Sequence, residues 1–198
     1  FPADARLPKD IKYVMTLDAD TRLTPESVTH LVGKLSHPLN RPVFDDKTGR
    51  VVRGYGILQP RVTPSLTTGD EASFLQRVFS VNRGIDPYVF AVSDTYQDLL
   101  GEGTFTGKGL YDIDAFEAAL KDRVAENTLL SHDLLEGGYA RAALVSDVEV
   151  VEDYPTGYNV DVSRHHRWAR GDWQLLPSLC SASRRVRRST PSKMTANR

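Results

Sequence analysis

The apolar positions change period several times along the chain, and each change predicts an element. Residues 11–17 (IKYVMTL) form a strand-like run that stops abruptly at Asp18-Ala19-Asp20. A helix should follow, with Thr24 as N-cap, Pro25 at its first position, and Val28, Leu31, Val32 and Leu35 as its apolar stripe. Residues 37–49 read as a loop, and residues 51–59 (VVRGYGILQ) as a second strand closed by Pro60. Residues 72–79 are helical by pattern, with an irregular stretch over 86–99. Glycines at 101, 103, 107 and 109 then precede the helix DAFEAAL. A helix over 127–143, a strand over 145–151 and a helix over 162–176 complete the ordered part. From Pro177 the chain is Ser/Arg-rich without periodicity, so residues 177–198 are expected to be a disordered, basic tail. Strands alternating with helices indicate an α/β sheet domain.

Composition narrows the class. At 198 residues, 40% hydrophobic and 26% charged, the chain suits one globular domain and is short for two. No run approaches the roughly 20 apolar residues that a membrane span needs. The single cysteine, Cys180, excludes an intrachain disulfide and suits a reducing compartment. The chain opens at Phe1 with neither an initiator Met nor a signal-peptide pattern, so a piece of a longer protein is expected. The net charge of −1 conceals a split: residues 174–198 hold six basic and no acidic residues, against 19 basic and 26 acidic before them. An acidic body argues against nucleic acid as a partner.

Four groups of residues carry candidate chemistry. In an extended strand, Lys12, Val14, Thr16, Asp18 and Asp20 share one face, so two carboxylates project together from a strand's carboxyl end. Oxygen ligands at that spacing suit Mg²⁺ or Mn²⁺ with phosphate oxygens completing the shell; an exposed Asp-rich turn has the same pattern. Ser131 can cap the helix that follows it, placing Asp133 in the first turn as a candidate general base or as a simple complement to the helix dipole. His132 is the alternative base, although a lone histidine is more often structural. Arg164-His165-His166-Arg167-Trp168 offers guanidinium groups for a diphosphate and an indole face for a sugar, or merely an amphipathic surface helix. Zinc is rejected there, because adjacent helical histidines point about 100° apart. Gly107-Lys108-Gly109 fails the P-loop pattern, since Lys108 is followed by glycine; a flexible loop near a ligand or plain turn punctuation remains.

The order of these features resembles processive family-2-type glycosyltransferases of the GT-A fold. The longer strings YVMTLDADTRL, GYGILQPRVTPSL, FAVSDTYQDLLGEGTFTGKGLYDIDAF, ENTLLSHDLLEG and RHHRWARGDWQLLP are similar to the glycosyltransferase domain of bacterial cyclic β-1,2-glucan synthases, over about residues 12–177. The resemblance implies that residues 1–176 are the C-terminal part of a GT-A (Rossmann-like) catalytic domain, a mixed sheet flanked by helices that lacks the N-terminal nucleotide-binding strands. It implies UDP-glucose as donor, a growing β-1,2-glucan as acceptor, and transfer with inversion. By motif, Asp18 and Asp20 would hold the cation and the donor diphosphate, and Asp133 would deprotonate the acceptor hydroxyl. Arg167 would face the diphosphate, with Trp168, Gly107 and Lys108 on the acceptor side. Arg164 departs from the glutamine of the Q-x-x-R-W motif. The parent would be a large multidomain protein of the bacterial inner membrane, catalysing on the cytoplasmic side, and this piece alone is expected neither to fold well nor to transfer glucose. A cellulose-synthase-like enzyme and a catalytically dead sugar-nucleotide-binding domain are the alternatives.

Overall fold

Three pairs of adjacent apolar residues set the layers of the molecule. Ile57, Tyr111 and Ala142 turn to one face, where they pack with Phe105, Ala119 and Ala140. Their neighbours Leu58, Leu110 and Ala143 turn to the other face, against Leu31, Leu35, Val145 and Val148. Strand alternation alone produces this division, because successive side chains leave a strand on opposite sides. Each fully buried Leu or Ile in these clusters contributes about 1.5–3 kcal/mol of transfer free energy.

The computed structural model describes residues 10–65, 72–79, 95–123, 129–153 and 155–188. Its elements are β1 (Tyr13–Thr16), β2 (Thr21–Leu23), α1 (Ser27–Ser36), β3 (Val43–Asp45), β4 (Arg50–Arg53) and β5 (Ile57–Pro64), then α2 (Phe74–Phe79) and α3 (Thr95–Leu100). They continue with β6 (Gly109–Asp112), α4 (Ile113–Leu120), α5 (Asp133–Ala140), β7 (Ala142–Glu152) and α6 (Tyr158–Arg188). The main sheet has the order β1-β6-β5-β7-β2. β5 and β7 run parallel at its centre, and the other pairings are antiparallel. α1 covers one face; α4 and α5 lie on the other, beside the β3–β4 hairpin. This is the mixed α/β, partial Rossmann-like architecture expected of the chain.

Several elements depart from their predicted bounds. The run 51–59 is two strands, because Gly54 adopts φ +64° and a Cβ there would meet the Arg41 carbonyl at 2.0 Å. Pro60 does not close the second of them. It sits where the β5–β7 register shifts, a position that needs no N–H donor. The loop 37–49 contains β3. α1 begins at Ser27 rather than after Thr24, whose carbonyl accepts a turn hydrogen bond from the Ser27 N–H at 3.1 Å. The helix drawn over 127–143 starts only at Asp133, and ends where Arg141 takes φ +58° and the chain turns into β7. α3 adds a helix inside the stretch expected to be irregular; residues 80–94 lie outside the described ones. α6 extends through Pro177 to Arg188, so the expected disordered tail is helical as far as it is described.

Candidate active site

The acidic pair sits in a tight connection between β1 and β2. The Thr21 N–H returns to the Asp18 carbonyl at 3.1 Å, and Thr21 then pairs with Glu152 at the end of β7. The turn therefore brings Asp18 and Asp20 beside a carboxylate from the far end of the chain. Asp18, Asp20 and Glu152 each bring an oxygen within 4.8 Å of the others. Lys108, just before β6, closes the group: its Nζ lies 3.0 Å from Asp18 Oδ2 and 3.0 Å from Glu152 Oε1. The Lys108 and Glu152 side chains are 3% and 5% exposed, whereas that of Asp18 is 57% exposed. Burial pushes the Glu152 carboxyl above its ordinary range, the Lys108 ammonium opposes this, and Asp20 and Asp18 reinforce it.

Residues 106–109 are pinned, in contrast to the flexible loop that their glycines suggested. Buried Gln59 accepts from the Thr106 N–H at 2.6 Å, and the Thr16 hydroxyl donates to the Gly107 and Gly109 carbonyls at 3.3 and 3.4 Å. Gly107 adopts φ +88°, and a Cβ there would sit 3.0 Å from Asp133 Oδ2. Its lack of a side chain lets the Asp133 carboxylate lie directly against the loop.

Asp133 opens α5, but Ser131 does not cap it. His132 occupies the N-cap position without a side-chain capping bond. Burial pushes the Asp133 carboxyl up; His132 pulls it down, Asp18 pushes it up, and Lys108 and Asp172 act in opposite directions more weakly. One turn on, Glu136 receives His132, whose Nδ1 lies 2.5 Å from Oε1. The Tyr111 hydroxyl also hydrogen-bonds Glu136, and burial raises both groups.

α6 completes the enclosure. Gly171 packs so closely on Ser131 that a Cβ would approach its Cβ at 2.6 Å, and the Leu130 N–H donates to Gln174 Oε1 at 2.9 Å. That docking carries Arg167 and Trp168 to a cleft of about 370 Å³, whose wall also contains Asp18, Gly107, Lys108 and Asp133. Arg164 is turned to Trp168 instead, with its guanidinium 5.2 Å from the ring centroid. His165 packs edge-on against the same indole and is held by Asp161.

A cyclic β-(1,2)-glucan synthase, NdvB, of Rhizobium meliloti (strain 1021) is 70% identical to this chain over 173 residues. The chain is homologous to a segment of that synthase. The match covers 87% of this chain and 6% of the synthase's length. No family model matches the chain.

Within this synthase-like segment, six of the seven residues that the resemblance assigned to the site share one cleft. Asp20 is outside its wall, beside Asp18 and Glu152. Glu152, Glu136 and Asp172 were not singled out, although Asp172 lines the cleft and both glutamates are buried. Glu152 did carry a signal: it continues the inward register of Val148 and Val150, where a carboxylate has no place without a cation.

Proposed function

We propose that the chain is the acceptor-activating part of an inverting glucosyltransferase, using UDP-glucose to extend a β-1,2-glucan. The observation that carries this reading is the convergence of Asp133, Asp18, Arg167 and Trp168 on one cleft in a chain 70% identical to a segment of a glucan synthase. Asp133 is the base: partly buried and raised above the usual carboxylate range, it is better matched to a sugar hydroxyl than an exposed aspartate. As it takes the acceptor proton, the acceptor oxygen bonds to the anomeric carbon, and the bond to the UDP oxygen breaks. One in-line displacement converts an α-linked donor into a β-linked product.

Arg167 faces the diphosphate, for which a planar guanidinium is well suited, and Trp168 offers a stacking face to the acceptor sugar. Gly107 leaves room for the acceptor beside the base. A divalent cation fits the donor set, since the Asp18 and Asp20 oxygens are the hard ligands that Mg²⁺ or Mn²⁺ prefers. Such an ion would supply charge neutralisation at the diphosphate. Lys108 does not fit the acceptor role as readily, because its ammonium is committed to Asp18 and Glu152. The whole protein would be a large synthase of the bacterial inner membrane; among the described residues, no helix is long and apolar enough to cross a membrane.

The test places this chain's 173 matching residues into the Rhizobium meliloti synthase and measures UDP release and product linkage. Wild-type chimera should release UDP with β-1,2-linked product, and Asp133→Asn should not. A different linkage would favour a cellulose-synthase-like enzyme, and UDP binding without release a catalytically dead domain.

A further inference from the structure

An inverting transfer leaves one proton on its base at every turnover. Asp133 must lose that proton before the next acceptor hydroxyl can be activated, and it is half-buried against Gly107. The residue that precedes it has the geometry to remove the proton. His132 is in the wall of the same cleft, yet its side chain is 53% exposed. Its Nδ1 is fixed 2.5 Å from Glu136 Oε1, and the Glu136 side chain is only 11% exposed. A ring held through Nδ1 by a carboxylate keeps that nitrogen protonated and leaves Nε2 as the exchanging site. One ring nitrogen of His132 and an oxygen each of Asp133 and Glu136 lie within 4.8 Å of one another, a span that one water molecule bridges between the imidazole and the Asp133 carboxylate.

We propose that His132, held in place by Glu136, is the station through which Asp133 returns its proton to solvent between successive transfers. This rests on Asp133 being the base. The proton moves from the protonated Asp133 carboxyl, through a water, to the unprotonated nitrogen of the His132 ring, giving an imidazolium; the exposed imidazolium then releases a proton to bulk water. Asp133 is left as carboxylate and His132 as neutral imidazole, so the cycle closes with no other reactant. Glu136 is a positioning residue here: its other partner is the Tyr111 hydroxyl, and Tyr111 is wedged edge-on between Phe105 and Phe116. The other charges around Asp133 are Asp18, Lys108 and Asp172. Lys108 is bound to two carboxylates, and neither aspartate has a ring nitrogen's affinity for protons near neutral pH.

The experiment uses the complete chimeric synthase and follows UDP release by rapid quench. His132→Gln should keep the first-turnover burst, slow the following turnovers on the order of tenfold, and regain rate as imidazole is added to the buffer. Glu136→Gln should show the same pattern with a smaller loss. An unchanged steady state overturns the proposal, as does a slow one that imidazole does not restore, because a merely structural histidine would not respond to a proton carrier. Loss of the burst itself in His132→Gln, with no rescue, also overturns it. Wild-type UDP release by Asp133→Asn would instead refute the assignment of the base, a separate outcome.

Discussion

Two acidic clusters face each other across the cleft, and they are neutralised in different ways. At the β1–β2 turn, Asp18 and Glu152 pair with a buried lysine ammonium, and Asp20 lies beside those two carboxylates. At the head of α5, Asp133 and Glu136 have only a half-exposed histidine between them. The same side-chain type is therefore placed for opposite tasks. An exposed carboxylate paired with an ammonium, as Asp18 is, can still offer its oxygens to a metal ion. One that is desolvated with a titratable neighbour can exchange a proton.

The contrast is broken most severely at Asp133. Asp133→Asn in the chimeric synthase should lower UDP release by about 10²–10⁴-fold, measured at saturating donor. The same change should stabilise the fold at neutral pH. Burial raises the Asp133 carboxyl in the folded state, so the folded chain holds this proton more tightly than the unfolded chain. Its contribution is favourable below the ordinary carboxylate range and is lost as pH rises through the folded-state value. The gain in melting temperature from Asp133→Asn should accordingly vanish in acid.

At the other cluster, Lys108→Met should cost about 3–5 kcal/mol in denaturant unfolding, because it strands Glu152 as a buried, unpaired charge. Replacing both residues by Met should recover most of that loss. Recovery would show that the pair serves stability locally; its absence would show that the ammonium is also needed by Asp18. Gly107→Ala links the clusters, since it forces a Cβ into φ +88° and against Asp133. A cost of about 1–2 kcal/mol is expected, with a drop in turnover larger than that change in stability implies. The smallest effect concerns pH. The acid limb of activity should lie above the ordinary aspartate range of 3.8 and move down in Asp172→Asn, which removes a charge that raises Asp133. An unmoved limb would separate Asp133 from the titration that governs rate.

How far these clusters could be read from sequence differs between them. The acidic pair was legible as a pair but not for the reason its spacing gave: β1 ends at Thr16, and Asp18 and Asp20 converge through the turn that Thr21 closes on Asp18, not through strand alternation. Asp133 was legible as a helix-opening residue, although the helix was drawn six residues too early and eventually three too long. Ala142 and Ala143 favour helix locally, but pairing with Ile57 and Leu58 converts them to strand. Gln59, Glu136 and Glu152 were passed over because their importance comes from partners 47, 4 and 44 residues away. The His132–Glu136 pairing is local, within the first turn of α5, yet Glu136 was missed because His132 was weighed as an alternative base without a carboxylate partner.

The amino-acid order by itself determined the division of Ile57 from Leu58, whereas Leu110 and Tyr111, and Ala142 and Ala143, were divided between the two faces only by pairing with that strand. It also determined which acidic, basic and aromatic groups were available to the cleft. The tertiary structure decided which of those groups are buried or paired. Periodicity acts between neighbours along the chain, whereas desolvation and Coulomb attraction depend on distance through space. Lys108 became the partner of Asp18 and Glu152 only when β1, β6 and β7 were brought into one sheet.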